Sequence, residues 1–286
     1  MFWIPIVGAF LEGSGMTIEK KVLTKHRVNY KNYTVYGFLA LTLIMLPLTF
    51  FFWNIKPEAY ELNNVLIFAG VIFFSIIANL LIFYSLKRES LTEIEPIRLM
   101  QPLFTILLAF GLSFMFEEIY GVEKNFTILI LALIASVSLV ASHIKKHHLV
   151  YDKYIIAALL GSFFFAVELV ISRAILPYYS SLTFYFLRCL TVFLITLAIF
   201  RPKNNLKLNT KLLILISGAI WVAYRLILYY GYLAYGIVFT TILFILAPLF
   251  IYAFARIFLK EKITKRQIVS SIIIILCVIA AIILQN

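Results

Sequence analysis

Ten apolar stretches follow one another along this chain and are separated by short polar gaps. Each stretch is long enough to cross the ~30 Å hydrocarbon core of a bilayer as a helix. The stretches cover residues 2–18, 33–54, 62–86, 92–116, 126–143, 154–172, 182–200, 212–235, 237–255 and 267–284. The pattern predicts an all-α polytopic membrane protein with ten transmembrane helices.

The composition agrees with this pattern, because 63% of the residues are hydrophobic and only 13% are charged. A soluble domain needs more polar surface than that, and the gaps are too short to hold one. The net charge of +12 does not indicate nucleic acid, because the cations lie in loops beside anionic lipid headgroups. Cys189 and Cys277 both fall inside apolar stretches, which leaves no disulfide framework or paired-cysteine metal site.

Lysine and arginine residues are distributed very unevenly among the gaps. All but three of the 25 lie in gaps or flanking segments, 19 of them in the odd-numbered gaps and three in the even-numbered gaps. By the positive-inside rule the odd-numbered gaps are cytoplasmic. Ten crossings then place both termini outside the cell membrane. No positive segment precedes the first stretch, so a cleavable signal peptide is not expected.

Two weak internal similarities indicate a repeat of about half the chain. Residues 84–104 align without a gap with 230–250, and residues 8–23 align with 161–176. The two offsets are nearly equal, which predicts a first repeat of residues 1–146 and a second of 147–286. Because each repeat holds five stretches, an odd number, the second enters the membrane from the opposite side. Such inverted repeats are typical of transporters that work by alternating access. The alternative is a symmetric helix bundle with a receptor or scaffold role.

At its C-terminal end the chain resembles a known family of transporters. The segment APLFIYAFARIFLKEKITKRQIVSSIIIILCVIAA, from Ala247, is similar to the ninth and tenth helices of the EamA branch of the drug/metabolite transporter superfamily. Its marks are a proline-aromatic helix, a glutamate just past it (Glu261), a polar loop and a final apolar helix. QPLFTILLAFGLSFMFEEIYGVEKNF repeats these marks in the first half, with Glu117 or Glu118 as the glutamate.

The resemblance implies ten helices in two inverted five-helix repeats, and export or exchange of small metabolites. Helices one to four of each half would line the cavity, with helices five and ten peripheral. Members of the family are usually drawn with cytoplasmic termini, whereas the charge distribution here predicts termini outside.

Five charged residues lie inside the predicted spans, where a charge costs at least ~2.5–3.5 kcal/mol and usually faces a cavity or a partner. They are Glu12, Arg98, Glu168, Arg188 and Arg225. Depth along the helices predicts a pair between Glu12 and Arg98 and a second pair between Glu168 and Arg188. Static salt bridges that fix helix register are the alternative role for each pair.

Arg225 is left alone near the midplane, at the level that Asn79 occupies in the other repeat. An unpaired arginine there would anchor a carboxylate or phosphate through its two parallel donors. We expect Arg98 and Arg188 to contribute to the same site, with Tyr224 and Trp221 lining it. Pairing of Arg225 with Glu168 or Glu12 is the alternative.

Glu12 has a second interpretation. The pattern Glu12-x-x-Gly15-x-Thr17-x-x-Lys20 is similar to the first helix of the small multidrug resistance transporters, whose embedded glutamate exchanges protons for cationic substrate. The resemblance implies proton coupling through Glu12. In our hypothesis for the site, Glu12 and Glu168 serve for charge balance or proton coupling. The resemblance also leaves open the export of amphipathic cations.

Pro96, Pro102 and Pro248 are expected to kink helices four and nine where they meet the cavity, because proline removes a backbone hydrogen bond. Zinc-protease, serine-nucleophile and phosphate-loop motifs are missing from the sequence, so neither an enzyme nor an ATP-driven pump is indicated.

His143, His147 and His148 lie in a basic loop that favours solvation over metal binding. No metal or cofactor is expected.

Together these features predict a secondary transporter of a small organic solute, such as an amino acid or a related anionic or zwitterionic metabolite. Its partners would be the solute and the lipid bilayer, with proton or ion coupling as an option. A monomer is sufficient for this activity, and the sequence is equally compatible with a dimer. A non-transporting membrane scaffold or enzyme is the rival class.

Overall fold

The computed structural model describes residues 3–24, 26, 28–88, 97–143, 153–202, 206–250 and 264–285. Pro96, His147 and His148 lie outside the described residues. The helices that fall within the predicted stretches are α1 (Trp3–Thr24), α2 (Tyr30–Phe52), α3 (Leu62–Arg88), α4 (Met100–Met115), α5 (Phe126–His143), α6 (Lys153–Ile175), α7 (Ser181–Phe200), α8 (Leu208–Tyr235), α9 (Ile237–Phe244) and α10 (Lys265–Gln285).

Six of the described helices are long and apolar enough to cross a membrane, or seven if α5 and the bent helical segment before it count as one span. The six are α2, α3, α6, α7, α8 and α10. Helix α1 has 22 residues but carries Glu12, Glu19, Lys20 and Lys21. Helix α4 and the region of α9 are shorter. The protein is therefore an all-helical, multi-pass membrane protein, and ten crossings stay a prediction.

Helix packing follows an approximate two-fold relation between the halves. The most extensive contacts join α3 to α6, α1 to α8, α2 to α7 and α5 to α10. If each helix of the first half is replaced by its equivalent in the second half, and the reverse, the pair α3–α6 becomes the pair α8–α1. The pairs α2–α7 and α5–α10 stay the same. Gly8 and Gly161, which the sequence aligned, occupy matching interfaces: Gly8 packs against Ile227 of α8, and Gly161 packs against Ile82 of α3. Small residues at these positions let the backbones approach closely.

Helical geometry is interrupted at two positions that are 146 residues apart. Leu99 (φ −65°, ψ −8°) and Ile245 (φ −61°, ψ −11°) adopt almost the same conformation. Each lies three residues before a proline, Pro102 or Pro248. A proline ring clashes with the carbonyl four residues earlier, which explains a break at this spacing. In both halves the break lies just before the proline.

On the face of the bundle opposite the basic loops, the loop between α2 and α3 pairs with the loop between α6 and α7. Ile55 and Tyr179 form an isolated antiparallel bridge. The amide of Lys56 donates to the Tyr178 carbonyl over 2.8 Å, and the amide of Ser180 donates to the Asn54 carbonyl over 3.1 Å. We call this set of contacts the loop latch. Backbone pairing of this kind holds the two halves together at that face.

A second contact joins the halves at the same face. Glu123, between α4 and α5, accepts hydrogen bonds from the amides of Ile237 (2.6 Å) and Val238 (2.8 Å) at the start of α9. A carboxylate at a helix N-terminus pairs with free amide groups and with the positive end of the helix dipole. Gly236, just before α9, has φ +84°, a conformation that glycine adopts readily.

At the basic face the described residues join the halves through side chains, and Ser85 Oγ donates to the Tyr154 carbonyl. His26 Nδ1 and Thr210 Oγ1 lie 2.7 Å apart, joining the loop after α1 to the start of α8. Lys20 Nζ donates to the Leu86 carbonyl near the end of α3 over 2.7 Å. Within the described residues, the interhalf backbone hydrogen bonds of the loop latch have no counterpart on this side.

Candidate functional site

An open cavity lies between the two halves of the bundle and encloses about 790 Å³ with its mouth included. Its walls come from α1, α2, α3, α6, α7 and α8, together with Arg98 and Gln101 at the start of α4. It extends from the level of Tyr185 and Arg188 towards Glu19 and Ile214, near the basic loops. We refer to it as the central cavity.

Seven of the residues that the sequence singled out line the central cavity. They are Glu12, Asn79, Arg98, Arg188, Trp221, Tyr224 and Arg225. Glu168 is fully buried behind the wall, in contact with two of the arginines. The folded chain therefore brings together residues from both predicted repeats, and their roles stay predictions.

The deep end of the cavity holds one carboxylate between two guanidinium groups. Arg188 Nε lies 3.2 Å from Glu168 Oε1, and Arg225 Nη2 lies 3.4 Å from Glu168 Oε2. The predicted pair of Glu168 and Arg188 is thus present. The expectation that Arg225 stands alone is wrong, and the alternative of pairing with Glu168 holds. Counting residues along separate helices gave the depth of each group but not the direction in which its helix faces.

Arg188 is held more firmly than Arg225. Its Nη2 donates to Ser75 Oγ over 2.7 Å and its Nη1 donates to the Tyr229 hydroxyl over 3.3 Å. Only 2% of its side chain is exposed, against 9% for Arg225. Arg225 Nη1 is buried and has no hydrogen-bond partner. The two arginines therefore differ: one is fixed by neighbours, and the other keeps an unused donor in the wall of the cavity.

Aromatic rings surround these charges. The Arg225 guanidinium lies 5.7 Å from the centre of the Tyr229 ring and 5.9 Å from that of Phe165, distances typical of cation–π contacts. Asn79 is occupied locally, because its Nδ2 donates to the Ser75 carbonyl of its own helix over 2.7 Å. The deep end is thus a polar centre inside an aromatic shell.

The other end of the cavity carries a second group of charges, and one of them was missed in the sequence. Glu19 was placed beyond the first apolar stretch, but α1 continues to Thr24 and leaves Glu19 only 7% exposed. Its Oε1 accepts a hydrogen bond from the Tyr33 hydroxyl over 3.2 Å. Its seven-residue spacing from Glu12, two helical turns, is the signal that could have revealed it. The adjacent lysines masked that signal.

Further polar groups surround Glu19. Arg98 is close enough to attract Glu19 electrostatically, and its buried Nη1 has no partner. The indole of Trp221 interacts with the Glu19 carboxylate, and Ser217 interacts with the Tyr33 hydroxyl. Glu12 and Arg98 both line the cavity, and the predicted pair between them stays a prediction. Arg98 Nη1 is thus the donor at this end that a bound molecule could satisfy.

A second open cavity, of about 620 Å³ with its mouth included, adjoins the first. Both cavities are lined by Glu12, Arg98, Gln101 and Tyr224. Most of its other wall residues are apolar, including Leu169, Leu228, Phe244 and Ile245. Pro102 and Pro248 also line it, so the two helix breaks meet at this cavity. Apart from Leu139 of α5, both cavities avoid α5 and α10 among the described residues.

The described residues contain no cluster of three His, Cys, Asp or Glu side chains that could hold a metal ion. The chemistry that this site offers is binding by charge, hydrogen bonds and aromatic surface.

Comparison with known proteins identifies the fold and the family. A solved structure described only as a crystal structure of protein superposes with a TM-score of 0.73 over 99% of this chain and 97% of its own, at 14% identity. No curated protein matches the chain. The model of the EamA-like transporter family matches twice, over residues 1–142 and 152–283. The chain therefore belongs to the EamA-like transporter family and is a membrane transporter, not an enzyme.

Proposed function

We propose that this protein is a secondary transporter that moves a small organic solute bearing a carboxylate or similar anionic group by alternating access. One observation carries the proposal: Arg188 and Arg225 share the single carboxylate of Glu168 at the deep end of the central cavity. That cluster has a formal charge of +1. An anionic group on the solute would balance it.

Burial makes this excess charge consequential. A charge removed from water is costly unless it is paired, and electrostatic attraction is stronger in such surroundings than in water. Arg225 presents the unused Nη1 donor at the cavity wall. A carboxylate could bind Nη1 and Nη2 together as a fork, while Glu168 stays with Arg188. Arg225 is therefore the anchor in this proposal.

The fold proposed for this activity has ten membrane helices in two inverted five-helix repeats, residues 1–146 and 147–286. The two family matches, the exchange symmetry of the helix contacts and the equivalent breaks at Leu99 and Ile245 all support it. Five helices in each repeat would invert the second relative to the first. Two similar halves can then exchange inward and outward shapes around one cavity.

We further propose that the protein lies in the plasma membrane. Its basic loops would face the cytoplasm, and both termini would lie outside. The central cavity lies on the basic-loop side, and the loop latch closes the opposite face. The described conformation would then be the inward-facing one, suited to export or exchange. Glu12 and Glu168 are the groups proposed for charge balance or proton coupling.

Export of an amphipathic cation is the second candidate function. It is favoured by the position of Glu12, which lines both the central cavity and the mainly apolar one beside it. A cationic head could pair with Glu12 while its apolar body fills the second cavity. In that case Glu12→Gln should reduce efflux of a lipophilic cation dye and spare amino-acid flux. Efflux of the dye by the variant at the wild-type rate would count against this function.

Flux of a panel of radiolabelled amino acids in proteoliposomes tests the main proposal. Arg225→Gln should abolish flux by removing the excess charge, and Arg225→Lys should retain part of it because the charge remains. Arg266→Gln is the matched control, since Arg266 is exposed at the start of α10. Undiminished flux through Arg225→Gln would overturn the assignment.

A further inference from the structure

We propose that the second cavity binds an apolar body of the solute whose anionic group is held at Arg225. The solute is then an amphipathic carboxylate, and not a small polar acid. The inference rests on the proposed function, because it assumes an anion at the deep end of the central cavity. It adds a binding site for the rest of the molecule and so names a class of solute.

The two cavities meet beside the anion anchor. Tyr224 lines both cavities and directly precedes Arg225 on α8. Leu228 and Tyr232 follow Tyr224 at four-residue spacing and line only the second cavity. Side chains at this spacing share one face of a helix, and the rise from Tyr224 to Tyr232 is roughly 12 Å. A carbon chain attached to a carboxylate at Arg225 can therefore continue past Tyr224 into the second cavity.

Beyond this junction the wall of the second cavity is mainly apolar. Of the described residues that line the second cavity alone, all but Thr105, Tyr232 and Thr241 are apolar. The hydroxyl of Thr105 donates to the Gln101 carbonyl over 2.9 Å, and Tyr232 interacts with Thr241. A wall whose polar groups are already engaged favours hydrocarbon, because a polar group moved there would lose its hydrogen bonds to water.

The two halves contribute different chemistry to this cavity. The repeat offset of 146 residues pairs Arg98 with Phe244 and Gln101 with Ala247. All four line the second cavity, but only Arg98 and Gln101 also line the central one. The first half therefore supplies polar groups where the cavities join, whereas the second half supplies an apolar surface that belongs to the second cavity alone. This division matches a solute with one polar end and one apolar end.

Binding of three acids to the purified protein in nanodiscs tests the inference. Hexanoate has three more CH2 groups than propanoate, and 6-hydroxyhexanoate is hexanoate with a hydroxyl at its far end. Wild-type protein should bind hexanoate about fiftyfold more tightly than propanoate, at about fourfold for each buried CH2 group. It should bind 6-hydroxyhexanoate at least about tenfold more weakly than hexanoate, because the hydroxyl enters an apolar site. Nanodiscs without protein correct for uptake of the acids by lipid.

Ala247→Leu separates the apolar site from the anion anchor. Ala247 is buried and lines the second cavity but not the central one, so a larger side chain fills the apolar site. The variant should cut the advantage of hexanoate over propanoate at least about tenfold, as expected when two CH2 groups no longer fit. Propanoate binding should stay within about twofold of wild type. Ala69→Leu is the matched control, because Ala69 is exposed on α3, and it should change neither affinity.

Each other outcome has a definite meaning. Equal affinity of the wild-type protein for propanoate and hexanoate overturns the apolar site, and so does equal affinity for hexanoate and 6-hydroxyhexanoate. An unchanged hexanoate advantage in Ala247→Leu also overturns it. If Ala247→Leu does not fold, the two wild-type comparisons decide. If Arg225→Gln binds propanoate and hexanoate as tightly as the wild type, the anion site of the proposed function fails instead. A wild-type protein that binds none of the three acids overturns both.

Discussion

The Arg225 guanidinium lies 3.4 Å from the carboxylate of Glu168, which Arg188 also contacts at 3.2 Å. One carboxylate cannot neutralise two arginines, so this cluster of three residues has a formal charge of +1. We interpret this imbalance as the reason why the site binds an anion. It also makes Glu168 the residue on which the stability of the cluster depends.

Glu168→Gln should destabilise the protein by about 3–5 kcal/mol, because it leaves two buried arginines without a counter-ion. Added hexanoate should recover part of that loss by taking the place of the carboxylate. Thermal unfolding with and without the anion measures both effects. A variant with the melting temperature of the wild type and no response to hexanoate would contradict the shared-carboxylate interpretation.

Conservative substitution should separate the two arginines. Arg188→Lys should lower the melting temperature, because lysine cannot contact Ser75, Tyr229 and Glu168 together as the guanidinium does. Arg225→Lys should fold almost as stably but bind hexanoate more weakly, since it loses the fork and keeps the charge. The two measurements are thermal unfolding and probe binding. The reverse order of stabilities would show that Arg225 is the structural member of the pair.

Gly236→Ala should destabilise the junction between α8 and α9. The residue has φ +84°, and an added Cβ would lie 2.8 Å from Glu123 Oε1. The substitution therefore combines backbone strain with a clash against the carboxylate that joins the halves. Gly111→Ala is the matched control, because an added Cβ there meets nothing within 4 Å. Equal melting temperatures for the two variants would argue against the Glu123 contact.

Glu123 should also contribute a pH dependence to stability. Burial raises the pKa of its carboxyl group, and the amides of Val238 and Ile237 oppose that rise. A folded-state pKa above the unfolded value means that the contribution is complete at low pH and is lost as pH rises through the folded-state pKa. Glu123→Gln should therefore flatten the melting profile above about pH 4, the ordinary range of a glutamate. An unchanged slope would be inconsistent with this assignment.

Covalent closure of the loop latch should stop transport. Ile55→Cys and Tyr179→Cys replace two residues that face each other in an antiparallel bridge, where backbone separations suit a disulfide. Oxidation should block flux in proteoliposomes and a reductant should restore it. Cys189 and Cys277 are buried, so they provide little background reaction. Full flux through the oxidised protein would show that this face does not open during transport.

The helices could be predicted because each apolar stretch is long and uniform, and the breaks could be predicted because proline acts locally through its own backbone. The Glu168 and Arg188 pair followed from equal depth. The partner of Arg225 did not, since facing directions depend on how α6 and α8 pack. Glu19 was missed for a related reason. Residues of α2 and α8 bury it, whereas the lysines that follow it in the sequence are typical of an exposed segment.

Among the described residues, three arginines and three glutamates lie in the wall of the central cavity or directly behind it, and their formal charges add up to zero. Moving one elementary charge through a membrane potential of 100 mV involves about 2.3 kcal/mol. A zwitterionic solute bound among these groups adds no net charge, whereas a solute that is a net anion adds one. We therefore expect a clamped voltage to leave the flux of a zwitterionic amino acid unchanged and to alter the flux of a simple carboxylate.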